Sequence, residues 1–222
     1  MKKAFLLGLS LSTACEVKSV DVLHDNGAWS CEEFPGFDEC IRWENGVIPV
    51  HVARSESPTF SDIELESLVE TSVSNWNERL AELDLDLRFS ISEPSSETCS
   101  EMVENDVQGE ETKEVSVCVM DDGRFLGYMN KLKYGKGAGT VAGHTPMIGN
   151  IIGDRYTGAY VFLNSKHLGS QALAVIIHEM GHVLGLGHNT TEGSLMGEYL
   201  LENTSSVPTK WEDQGLLGIY RD

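Results

Sequence analysis

Apolar and polar positions recur with two different periods along this chain. In GVIPVHVARS (46–55), Ile48, Val50 and Val52 fall at every second position, the period of a half-buried strand. From Ser61 the period lengthens. Ile63, Leu65, Leu68, Val69, Val73, Trp76 and Leu80 are spaced as one face of a helix running to about Leu83. Ser61 and Glu64 form the Ser-x-x-Glu pattern of a capping box at its start. LDLRFSIS (85–92) returns to alternation, and EVSVCVMD (114–121) and GAYVFLNS (158–165) are further short strands. Between them, residues 93–114, rich in acids and serines, read as a loop or insertion. The glycine-rich stretch 123–158 reads as a long connection, with His144 expected on the surface. Ser170 then stands where it can cap a helix in which Ala172, Leu173, Val175, Ile176, Ile177, Met180, Val183 and Leu184 leave almost no polar face. A helix apolar nearly all round is a buried helix.

The amino terminus follows neither period. Lys2 and Lys3 precede the apolar run Ala4–Leu9, and small residues follow up to Cys15. A charged start, a short apolar core and small residues are the pattern of a secretory signal over residues 1–14, too short to span a bilayer permanently. The site before Cys15 resembles a bacterial lipobox, in which Cys15 would carry the lipid, although Ser12 stands where leucine is usual. The five cysteines are Cys15, Cys31, Cys40, Cys99 and Cys118. An exported protein with an odd count has a thiol left over, and lipidation of Cys15 removes it. Four remain for two disulfides. Three pairings are open, and sequence proximity favours Cys31–Cys40 and Cys99–Cys118. Residues 15–45 are expected to be a tether with a small disulfide loop.

Composition narrows the rest. In 222 residues, 16 Lys+Arg stand against 35 Asp+Glu, so a nucleic-acid partner, which needs a basic face, is not expected. The length suits one domain, and a monomer is expected. The acids of 93–114 match no calcium-loop spacing, which leaves calcium open.

The buried helix carries the candidate chemistry in HEMGHVLGLGH (178–188). His178 and His182 are four residues apart, hence on one helical face, where two imidazoles can grip one Zn²⁺. Glu179 is the next residue and can reach a zinc-bound water as general base. Gly185 allows a left-handed residue that ends the helix and turns the chain back, so His188 can approach the same metal. Three neutral imidazoles leave a fourth position open for water, the arrangement of catalytic rather than structural zinc.

This H-E-x-x-H-x-x-G-x-x-H run resembles the metzincin zinc endopeptidases, and its Leu-Gly-Leu-Gly-His ending is most similar to the matrixin-like branch. Met196 in GSLMGE (193–198) matches that clan's methionine turn, as a packing floor rather than a ligand. PTKWEDQGLLGIY (208–220) resembles the closing helix, with Thr209 as cap, Asp213, and Tyr220 near its end. The resemblance implies an α+β fold over 46–222, with a twisted mixed sheet and an active-site helix. Residues 46–188 would form the upper part, and 189–222 a small lower subdomain ending in a helix. It also implies a protein or peptide substrate extended along an edge strand, expected at Tyr160, Val161, Phe162 and Leu163. The first pocket would be walled by residues from His188 to Tyr199. No cysteine-switch segment is found in the sequence, nor the histidine/aspartate set of the matrixin structural zinc, so neither is expected here.

The function expected is therefore endopeptidase action on extracellular or surface proteins. Export to a bacterial surface or outer membrane is expected, with the membrane reached only through Cys15. Two alternatives stand beside it. One is a zinc-containing surface lipoprotein that binds a partner without catalysis. The other is a zinc peptidase limited to short peptides.

Overall fold

The computed structural model describes residues 11–16, 42–44, 46–93, 97–109, 112–132, 141–150, 155–189, 191, 193–197 and 204–221. The Cys31–Cys40 pairing and Tyr199 lie outside these residues.

A mixed sheet organises them, in the order β1-β5-β6-β4-β2-β3. Its strands are β1 (Leu11–Glu16), β2 (Gly46–Val52), β3 (Leu87–Ile91), β4 (Val115–Met120), β5 (Val141–Asn150) and β6 (Arg155–Asn164). Strands β3, β2, β4 and β6 run parallel, whereas β5 is antiparallel to β6 and β1 antiparallel to β5. Parallel strands need helical crossovers, and the crossovers cover both faces of this sheet.

Strand β4 shows the consequence in its sequence. Val115, Val117 and Val119 face α1 (Asp62–Glu82) and α5 (Ala172–Val183), within a core that includes Leu65, Trp76, Val175 and Ile176. Cys118 and Met120 face the other way, onto α2 (Cys99–Gln108) and α3 (Asp122–Lys131), with Met102, Phe125 and Tyr128. Each fully buried aliphatic or aromatic side chain of this kind contributes about 1.5–3 kcal/mol. Cys99 on α2 is bonded to Cys118 on β4, closing the disulfide that proximity favoured.

The helix from Ser61 has the expected capping box, with Ser61 accepting from the Glu64 amide and Glu64 from the Ser61 amide. Two other stretches differ from expectation. Residues 93–114 contain α2, opened by a second capping box at Thr98 and Glu101, with Cys99, Met102, Val103 and Asp106 turned inward. Residues 123–158 contain α3 and the ten-residue strand β5. His144 lies on that strand and is fully buried, not at the surface. Ser170 does not cap α5. It sits in the 3-10 turn Gly169–Gln171, and Gln171 precedes α5 without a side-chain cap. The turn itself leads the chain into the helix, after the short α4 (Ser165–Leu168) capped by Asn164.

Asp106 is a buried carboxylate whose oxygen accepts the Tyr128 hydroxyl hydrogen at 2.9 Å. Burial pushes its pKa up to about 6, against a smaller opposing effect of the Tyr128 bond. A carboxyl raised in the folded state stabilises fully below its unfolded value and loses that contribution as pH rises through the folded value. Asp106→Asn keeps an acceptor for Tyr128 but does not ionise. Its stability relative to wild type should rise by about 2–3 kcal/mol between pH 4 and pH 7. Urea unfolding of both proteins across that range measures the difference.

Candidate metal centre

Helix α5 is buried along its length apart from the half-buried Leu173, and its two histidines are met by specific partners. The His178 Nδ1–H donates to the Leu195 carbonyl at 2.7 Å, and the His182 Nδ1–H donates to the Leu186 carbonyl at 2.7 Å. A carbonyl oxygen can only accept, so Nδ1 carries the proton in both rings and Nε2 is left as a bare lone pair. The two Nε2 atoms then face each other 2.9 Å apart. Two acceptors in that position repel unless a cation lies between their lone pairs.

His188 completes the set. Gly185 has φ +87° and reverses the chain after α5, as the sequence pattern required. The His188 ring centroid lies 5.3 Å from that of His178 and 4.8 Å from that of His182. Its Nε2 is buried without a hydrogen-bond partner among the described residues. The ligand atoms of His178, His182 and His188 all lie within 4.8 Å of one another. Burial lowers the pKa of His178 to about 3, helped by the neighbouring His188, and that of His188 to about 4. It holds His182 well below the usual imidazole value. Neutral imidazoles are the ligating form. The donor chemistry, three neutral imidazoles of which two have fixed tautomers, fits zinc.

Glu179 is fully buried beside them. Its Oε2 accepts the Thr145 hydroxyl hydrogen at 2.5 Å, and its Oε1 has no hydrogen-bond partner among the described residues. Burial raises its pKa to about 8, and the Thr145 bond opposes the rise.

The floor of the site lies where the methionine turn was expected. Met196 is buried, and its sulfur packs so closely under Gly181 that a Cβ there would run into it. Sequence reasoning missed what holds this turn. Glu212 on α6 (Lys210–Tyr220) is fully buried. One of its oxygens accepts from the Ser194 hydroxyl at 2.7 Å and the Met196 amide at 3.3 Å, and the other caps α6 through Thr209. The Thr209-x-x-Glu212 box was legible in the sequence. Its second duty, at the methionine turn, was not, because the turn lies outside the box.

The expected substrate strand is corrected. Tyr160, Val161, Phe162 and Leu163 lie on β6, between β4 and β5, so their backbone groups are already paired. All four side chains are buried in the two cores. The strand that reaches the candidate base is β5, which lies between β6 and β1 and whose Gly143 and Thr145 both approach Glu179.

Residues 127–220 match the family model of the matrixins. No curated protein matches the chain. Among solved structures it is similar to metalloproteinase-II from Bacteroides fragilis, with a TM-score of 0.48 and 14% identity. That alignment covers 83% of this chain and 58% of the other, so the chain spans little more than half the length of that protein.

Metal analysis should find one zinc per chain. Its removal by a chelator should lower the unfolding midpoint, and excess zinc at about 100 times the dissociation constant should restore about 2.7 kcal/mol. His188→Ala, which removes a ligand without touching α5, should bind zinc far more weakly and show little of that recovery.

Proposed function

We propose, from the matrixin-like segment 127–220 and the three-imidazole site within it, that this protein is a zinc-dependent endopeptidase acting on extracellular or surface proteins. The observation that carries the reading is the pair of unprotonated Nε2 atoms of His178 and His182, 2.9 Å apart, with Glu179 on the same helix.

His178, His182 and His188 would hold the ion. Bound there, zinc supplies Lewis acidity that polarises a scissile carbonyl and acidifies water. The protein's own part falls to Glu179. Its unpartnered Oε1 takes the proton of the attacking water, and the same carboxyl returns it to the departing amine. A carboxylate with one oxygen held by Thr145 and the other without a partner among the described residues suits both halves of that transfer.

An extended substrate would pair with the β5 edge. That edge accepts an antiparallel strand in this molecule, where Leu11 lies opposite Met147 and Cys15 opposite Gly143. Removal of residues 1–14 as an export signal would take Leu11–Ala14 off β5 and free it for substrate. Main-chain pairing of this kind fixes the backbone and leaves side-chain preference to pockets. Lipidation at Cys15 would then hold the enzyme at a bacterial surface, close to the proteins it cuts.

The test is hydrolysis of unfolded casein by residues 16–222 loaded with zinc, beside Glu179→Ala. Wild type should cleave internal bonds, and Glu179→Ala should lose about 10²–10⁴-fold in kcat while keeping its zinc. Equal rates for the two proteins, or cleavage of short peptides alone, would sink the endopeptidase reading.

A further inference from the structure

Strand β5 does more at this site than border it. Gly143 and Thr145 are two residues apart on the strand and therefore on one face, the face turned to α5. The Thr145 side chain is fully buried, and its hydroxyl lies 2.5 Å from Glu179 Oε2 and 3.5 Å from the Glu179 carbonyl. A hydroxyl has one hydrogen to give, and the shorter contact takes it. Gly143 supplies the complementary feature. A Cβ there would strike Oε1, Cδ and Cγ of Glu179 together, so only glycine admits the carboxylate to this place.

We infer that Thr145 is a positioning residue for Glu179. It binds Oε2 and thereby presents Oε1, which has no hydrogen-bond partner among the described residues, to the reacting water. Gly143 keeps the space in which that carboxylate lies. The inference rests on the peptidase reading and deepens it, since it assigns the two oxygens of the base different tasks. The charge state of Glu179 is not its basis. The geometry would be the same for a carboxyl that has just received the proton, because the hydroxyl can then accept as well as donate.

The experiment compares wild type, Thr145→Val, Thr145→Ser and Glu179→Ala as zinc-loaded residues 16–222, with KM, kcat and zinc content measured for each. Valine matches threonine in shape and lacks the donor, so the site remains packed. Thr145→Val should lower kcat about ten- to a hundredfold, the worth of one hydrogen bond to a charged group, with KM and zinc content unchanged. Thr145→Ser, which keeps the hydroxyl, should restore kcat to within a few-fold of wild type. If Thr145→Val is misfolded by circular dichroism, Thr145→Ala carries the same expectation against the same serine rescue. A Thr145→Val enzyme with wild-type kcat, beside an inactive Glu179→Ala, overturns this inference and leaves the peptidase reading intact. Equal losses in the valine and serine variants, or lost zinc, overturn it in favour of simple packing. Equal rates for wild type and Glu179→Ala overturn both.

Discussion

Two imidazole nitrogens face each other inside the protein with no proton between them, and most of the structure serves to keep them so. Left to itself, a pair of buried histidines would turn a ring or share a proton. Here neither happens, because each Nδ1–H is bound to a backbone carbonyl, one from Leu186 just past the helix and one from Leu195 in the methionine turn. Desolvation does the rest by disfavouring the imidazolium form. The metal centre is thus a product of burial first and of ligand spacing second.

Burial of α5 brings its own demand, since a helix end inside a core leaves carbonyls without partners. Aromatic donors from distant parts of the chain meet it. Trp43 Nε1–H donates to the Val183 carbonyl at 2.6 Å, and the Tyr220 hydroxyl donates to the Leu184 carbonyl at 3.0 Å. Trp76 on α1 donates to the Ile177 carbonyl midway along the helix at 2.9 Å. Each of these rings adds apolar area to the core while its one polar atom is satisfied. Arg79 on α1 pairs with Asp213 on α6, which ties the helix beside α5 to the helix beneath it.

The ligand set, its base and the helix that carries them were legible because their signal is local. Residues four apart on a helix share a face whatever surrounds them, and Gly185 needed only its own φ. Helix α2 was obscured by its acids, although Thr98-x-x-Glu101 and the inward positions Cys99, Met102, Val103 and Asp106 form a helical pattern. Strand β5 was obscured by glycines, and one of those glycines has a positive reason to be there, since Gly143 makes room for Glu179. The substrate strand was misplaced because Tyr160–Leu163 is the most strand-like run near the motif. A run that apolar, with alternate residues feeding both cores, belongs between two long strands, whereas β5, whose outer neighbour is the short β1, carries Gly143, His144 and Thr145. No single-sequence pattern states which strands are neighbours, and that is why Thr145 was missed.

The groups that fix the metal-ligand helix and the methionine turn come from distant parts of the chain. Trp43 precedes every strand of the parallel part of the sheet, while Glu212 and Tyr220 lie on α6, after the ligand motif. As the ribosome delivers the chain from its amino terminus, HEMGHVLGLGH emerges before the elements that fix the methionine turn and close the helix end. A partly synthesised chain therefore holds the ligand motif but lacks the assembled centre, and the same is true of a chain truncated before Thr209. Contacts of such long sequence separation form late and cooperatively. The three-histidine centre would then assemble only after α6 has joined the fold.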